Sequence, residues 1–252
     1  MLRQLPVHEA GGFVLAWYDA AGRAPDWRIP DELFAPAHAG PFVRSEFTFD
    51  VPVQILNEDN FDTGHLYTWH NVADVVSSLP VVDGPTISIT HDFTRHSIFF
   101  EKPLPKALSW LSQPITSQYG STLYGHGLTY SYIDIFNLGI SLQDFIWCTP
   151  ISAGRTLYTT FLRRRFPAGR RAPLRRLLDA LTFRFSVRRL RQEHLHEGRG
   201  FWENQSRDHV PILTEAERRL LEPYWQWCRQ FEPRNAVLPA PAASDAAARL
   251  AS

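Results

Sequence analysis

Cysteine is nearly absent from this chain: Cys148 and Cys228 are the only two in 252 residues. That is too few for a disulfide framework or a thiolate cluster, and a reducing compartment is the default. Net charge is absent too, since 26 basic and 26 acidic side chains cancel, which leaves a nucleic-acid partner without global electrostatic support. No run approaches the roughly 20 apolar residues of a membrane span. The apolar stretch from Gly11 to Trp17 is short, lacks a basic flank and so does not read as a signal peptide. No internal repeat is found. These absences lead us to expect a soluble, cytoplasmic protein whose length suits one large domain with a substantial core.

Aromatic residues are abundant, with eight Trp, eight Tyr and seventeen Phe, and they imply an aromatic-rich interior or pocket. Residues 6–19 read as a hairpin turning at Gly11-Gly12, and residues 44–54 as a strand with Phe47, Phe49 and Val51 on one face. A helix is expected over 56–73. Runs rich in Ile, Thr, Tyr and Phe near 86–101, 115–132, 140–149 and 155–164 read as strands, and such a succession with short turns implies an antiparallel sheet. Leu174, Leu177, Leu178, Leu181 and Phe185 recur at helical spacing, giving a helix over 173–196. Thr214-Glu215-Ala216-Glu217 is a capping box opening a last helix to about 231, with Pro223 as a possible kink. The Ala- and Pro-rich residues 234–252 are expected to be a disordered tail. The Arg-rich run from Arg163 to Arg176 reads as a solvated strand-to-helix loop rather than a nucleic-acid site, because aromatic interleaving stops at Phe166. A docking patch for an acidic electron-transfer partner is another reading of it.

Chemistry concentrates in Asn60-Phe61-Asp62-Thr63-Gly64-His65-Leu66-Tyr67-Thr68-Trp69-His70, which contains the spacing D-x-x-H-x-x-x-x-H. Two imidazoles and a carboxylate among aromatics suit a metal in an apolar pocket, and two His plus one carboxylate on one octahedral face is the non-haem Fe(II) oxygenase arrangement. In a straight helix of about 100° per residue, His65 and His70 diverge by about 140° with Asp62 between them. A distorted, wide or terminating turn near Gly64 would bring both to one ion. Asp62 is then placed to orient a ligand imidazole without touching the metal. The competing reading is an ordinary amphipathic helix with polar His residues.

Three separated blocks point one way. The segment Asn60 to His70, then Phe201-Trp202-Glu203-Asn204-Gln205 with Pro211-Ile212-Leu213, then Trp227-Cys228-Arg229-Gln230-Phe231 together resemble Rieske-type non-haem iron oxygenase α-subunits, over residues 6–232. Within that family the chain is most similar to the 3-ketosteroid 9α-hydroxylase oxygenase component and the cholesterol 7-desaturases. The resemblance implies an α+β helix-grip fold, a curved antiparallel sheet wrapping a long helix around an apolar cavity. It implies Fe(II) bound by His65 and His70, with Asp62 as the catalytic residue that couples electron transfer across a subunit boundary. It also implies a homotrimer, a Rieske or ferredoxin-like electron donor with its reductase, and a bulky hydrophobic substrate, steroid-like or aromatic.

Two departures follow from the same comparison. Residues 1–40 resemble the tail and linker of the family's Rieske domain, residues 41–233 the catalytic domain, yet the C-x-H and C-x-x-H pairs that hold a [2Fe-2S] cluster are missing. The chain is therefore expected to hold no cluster of its own, either because another protein supplies it or because the reading frame is truncated. The third iron ligand of the family falls four residues before Trp202, which is Gly198 here. Glu197, one residue away, is the assignment, with His194 and His196 as substitutes. A catalytically degenerate helix-grip module that binds a hydrophobic ligand is the alternative function.

Overall fold

The structure is a computed structural model that describes residues 4–19, 22–35, 39–70, 72–95, 114–136, 139–165, 183–184, 187–188, 191–192, 198–205 and 211–232. Its frame is an antiparallel sheet built from β3 (Val43–Phe49), β4 (Ala73–Ser77), β5 (Val81–Asp83), β6 (Thr86–Arg95), β7 (Ile115–Tyr124), β8 (Leu128–Ile135), β9 (Ile140–Ser152) and β10 (Arg155–Arg165). The strand order is β3-β10-β9-β8-β7-β6-β4, with β5 also paired to β6. Strands β6 to β10 follow one another as neighbours, and only β3 joins from the far side of the chain to close on β10. A separate hairpin, β1 (Val7–Ala10) with β2 (Phe13–Ala16), precedes them. The helices are α1 (Val53–Glu58), α2 (Thr63–Thr68), α3 (Arg199–Glu203) and α4 (Glu215–Cys228). The whole is the α+β helix-grip fold, and no helix among the described residues is long and apolar enough to cross a membrane.

Period-two alternation divides the sheet into two faces. On β6, Ile87, Ile89, His91 and Phe93 are buried while the residues between them are not, and β7 to β10 continue that buried face through their register. This concave face takes the helices. Leu220, Leu221, Tyr224 and Trp227 of α4 pack on Phe61, Ile87, Ile89 and Leu123, and Val53, Leu56 and Trp202 of α1 and α3 pack on Phe47, Phe49 and Tyr158. Helix α4 starts with the expected capping box, Thr214 accepting from Glu217 N while Glu217 bonds back to Thr214 N, and it runs through Pro223. The convex face takes the N-terminal residues. Phe13 sits 4.8 Å from Phe161 and 5.5 Å from Trp147, and Phe34 stacks on Phe145 at 5.2 Å.

Several expectations are corrected. Residues 115–132 form two strands rather than one, because Gly125 takes φ +55° at the turn and packs so closely on Trp27 that a Cβ would stand 3.1 Å from it. Strands β4 and β5 were not foreseen. The Arg-rich loop begins later than expected: Arg163 and Arg164 lie in β10 and are 3% exposed. Arg163 tolerates burial because it donates to Gln143 and to the Phe34 and Ala35 carbonyls and lies over the rings of Phe42 and Phe145. The helix over 173–196 and the tail from 234 lie mostly or wholly outside the described residues. Phe183 and Val187 are helical and pack on Ile115, Ile135 and Leu162.

Candidate functional site

One helix over 56–73 was expected, and two short ones stand there. Phe61 N and Asp62 N both return to the Glu58 carbonyl, at 2.8 and 3.2 Å, so α1 ends and the chain turns. Asp62 is extended at φ −85°, ψ 107°, and its carboxylate accepts from Gly64 N at 2.8 Å, the N-cap that starts α2. The turn is held from outside. Phe61 is fully buried and stacks on Tyr224 at 4.8 Å, the Tyr224 hydroxyl donates to the Gln54 carbonyl, and Trp225 Nε1 donates to Glu58. Asn57, 2% exposed, donates to the His126 carbonyl and accepts from Thr129, which ties α1 to the sheet.

The break changes the helical arithmetic. His65 lies in the first turn of α2 and His70 lies beyond its end. Trp69 N and His70 N both donate to the His65 carbonyl, at 2.8 and 3.3 Å, and Val72 N reaches Leu66 O at 3.2 Å. The last turn is therefore widened to i→i−5 and beyond, as in a π-type turn. This brings the imidazoles of His65 and His70 to 5.1 Å between centroids, 73° apart in plane. His65 is 6% exposed. Its Nδ1 lies 2.5 Å from the Asp62 carbonyl, an acceptor only, so Nδ1 carries the proton and Nε2 keeps a lone pair. Asp59 Oδ1 is 3.6 Å from the same Nδ1. The carboxylate facing the ring is thus that of Asp59, while Asp62 orients it through its backbone.

Asp59, His91 and Tyr119 complete the surroundings and were missed from the sequence. His91 is 1% exposed, with Nε2 2.9 Å from the Asn60 carbonyl and Nδ1 2.7 Å from Ser77 Oγ. Burial lowers its pKa below the usual histidine value, with the Asn60 contact opposing. The buried Tyr119 hydroxyl donates to Asn60 Oδ1 at 2.7 Å, and burial raises its pKa. Burial also raises the Glu58 carboxyl, against its bond from Trp225. A signal for His91 existed, a polar residue in the buried register of Ile87, Ile89 and Phe93. Both thiols are buried and pushed up to about 12, so neither is a nucleophile near neutral pH.

The second sequence block reaches the same place. Trp69 lies 5.7 Å from Phe201 and 5.9 Å from Trp202. A Cβ on Gly198 would stand 2.7 Å from Trp202 and 3.0 Å from Trp69, so packing leaves no room for a side chain there. Glu197, His194 and His196 lie outside the described residues. Among the described residues no group of three His, Cys, Asp or Glu side chains gathers around one point. The donor set present, two adjacent imidazoles with one Nε2 lone pair defined, fits part of an Fe(II) site.

No protein-family model matches the chain, and no curated protein matches its sequence. Solved structures do match. Dicamba monooxygenase bound to 3,6-dichlorosalicylic acid superposes with a TM-score of 0.62 at 15% identity, covering 93% of this chain and 71% of that one. The same enzyme bound to dicamba gives 0.61 at 14% identity, covering 90% and 69%. The QL mutant of NdmA from Pseudomonas putida CBB5, with theobromine, gives 0.51 at 12% identity, covering 89% and 60%. At these identities the likeness is one of fold: over 89–93% of its length this chain is built as dicamba monooxygenase and NdmA are built.

Proposed function

We propose that the chain is the catalytic part of a Rieske-type oxygenase, holding one mononuclear Fe(II) between His65, His70 and Glu197. The observation that carries this reading is the widened end of α2, which turns two histidines five residues apart into a pair of facing imidazoles. Iron would supply oxygen activation. The chain's own residues do the rest. The Asp62 carbonyl fixes the His65 tautomer so that Nε2 is a ligand, and the Asp59 carboxylate faces the same ring at 3.6 Å. Glu197 enters because its neighbour Gly198 is packed against Trp69, the residue preceding His70. Asp62, at the start of α2 and partly exposed, takes the electron-coupling role, with electrons delivered by an external Rieske or ferredoxin-like donor and its reductase, across a trimer interface. No [2Fe-2S] cluster is assigned to this chain.

Substrates of this site are bulky and hydrophobic, steroid-like or aromatic. The aromatic class has the support of the ring-bearing ligands named with the similar structures, dicamba, 3,6-dichlorosalicylic acid and theobromine. Anaerobically purified protein should contain about one iron per chain, and the double variant His65→Ala, His70→Ala should contain none. A parent protein without iron overturns the reading. A second reading, a ligand-binding module without turnover, is favoured by Gly198, where the family carboxylate has no room. It requires apolar ligands to bind equally with and without the histidine pair.

A further inference from the structure

Pairing register sets Ser77 of β4, His91 of β6 and Tyr119 of β7 side by side in one row of the concave face. The row converges on one residue of the turn between α1 and α2. His91 Nε2 lies 2.9 Å from the Asn60 carbonyl, and the Tyr119 hydroxyl donates to Asn60 Oδ1 at 2.7 Å. The two rings stack at 6.1 Å with 14° between their planes, which restrains both. Asn60 closes the arrangement from its own side, its Nδ2 donating to the Asn57 carbonyl at 2.9 Å. An apolar side chain would suit the register of Ile87, Ile89 and Phe93 better, so packing alone does not call for a histidine at position 91.

Donor and acceptor roles along this row are fixed. A carbonyl only accepts, so His91 Nε2 carries the proton, and Nδ1 is left to accept from Ser77 Oγ–H at 2.7 Å. Burial favours that neutral ring. His91 thus directs its one N–H at a backbone group two residues before Asp62, whose own carbonyl meets His65 Nδ1. On the other side of the turn Phe61 stacks on Tyr224 of α4. Residues 60 and 61 are therefore held from opposite layers, by polar contacts from the sheet and an aromatic contact from the helix. Held in this way, the turn keeps the Asp62 carbonyl aimed at His65.

We propose that His91 and Tyr119 are positioning residues of the metal site, clamping Asn60 so that the Asp62 carbonyl holds His65 in the tautomer whose Nε2 is free to bind a metal. They act through Asn60 and the turn, not by contact with the metal. The inference rests on the proposed Fe(II) reading for the use made of that tautomer, while the clamp itself belongs to the metal-free chain. Partners that orient a ligand histidine are worth about 10–100-fold in metal affinity, and a clamp one step further out belongs at the lower end of that range.

The test compares two amides at position 91 in the full chain. His91→Gln places an amide N–H where Nε2 stands, whereas His91→Asn is too short to reach Asn60 and ends near the Nδ1 position beside Ser77. Both bury an amide, so a merely structural role would weaken them alike. Metal-free protein is read by heteronuclear NMR of the His65 ring nitrogens, and Co(II) affinity by absorption titration. A single Nδ1–H tautomer is expected in the parent and in His91→Gln, and a mixture with the Nε2–H form in His91→Asn. Co(II) should bind about tenfold more weakly to His91→Asn and within about threefold of the parent to His91→Gln. Tyr119→Phe removes one donor to Asn60 while keeping the stacked ring, should shift the tautomer in the same direction, and keeps the test open if His91→Asn does not fold. An unchanged His65 tautomer in folded His91→Asn or Tyr119→Phe, an unchanged Co(II) affinity in folded His91→Asn, or equal Co(II) loss in the two amide variants overturns the clamp. A parent that holds the single tautomer but binds no Co(II) sinks the iron reading and leaves the clamp, whereas a parent that binds Co(II) with mixed His65 tautomers sinks the clamp alone.

Discussion

Arg163 and Asp144, buried on opposite faces of the sheet, meet that burial in opposite ways. On the convex face Arg163 is nearly as buried as any side chain there, yet it donates to three acceptors and lies over two rings. Around it the rings of Phe13, Phe34, Phe42, Phe145 and Phe161 interlock at 4.8–6.4 Å. On the concave face Asp144 is almost as buried and keeps Oδ1 without a partner among the described residues, while the imidazoles of His65 and His70 are held close together by a widened turn. A satisfied polar group in an aromatic cluster serves stability. A buried carboxyl oxygen without a partner costs stability instead.

The contrast can be broken from either side. Phe145→Ala empties the centre of the convex cluster, where Phe145 is fully buried, and should destabilise the protein by about 3–5 kcal/mol in urea unfolding. Arg163→Met keeps the volume but strips donors from the Phe34 and Ala35 carbonyls and from Gln143; a loss of about 2–3 kcal/mol is expected in the same assay. Asp144→Asn should act with the opposite sign. The carboxyl titrates at about 7 in the folded protein against an ordinary 3.8, so the unfolded chain releases its proton first as pH rises. Stability from this group is full below about pH 4, declines between 4 and 7, and stays low above. The variant should therefore be more stable than the parent at pH 8, with the gain gone at pH 4. A gain that persists at pH 4 would place its cause elsewhere. The smallest effect belongs to α4, which covers the concave face: Thr214→Ala removes one half of the capping box and should cost about 1 kcal/mol.

Much of the frame was legible because it is local. Alternation in β6, β9 and β10, the capping box at Thr214 and the hairpin turning at Gly11-Gly12 are short-range patterns, and each stands close to where the sequence placed it, whereas β7 and β8 were read as one strand. The D-x-x-H-x-x-x-x-H spacing was legible as well, and so was the need for a wide or terminating turn. What could not be read is where the helix would break. Asp62 had been weighed as a carboxylate beside an imidazole, and its side chain instead caps α2. Asp59 takes that position because the turn at Asn60–Asp62 reverses which acid faces His65. Arg163 reads as solvated because nothing in the run shows that Phe34, Ala35 and Gln143, distant in sequence, supply its acceptors.

By itself the sequence determined the long strand-forming runs, the last helix and the residues of the histidine motif, since propensity, alternation and capping act over a few residues. Tertiary structure decided which polar groups share a place. The approach of His65 to His70 depends on α4 pinning Phe61 and Glu58, and the row of Ser77, His91 and Tyr119 exists only through pairing register. Register and long-range packing are set by the whole sheet closing at once, and no local window of the chain contains that information.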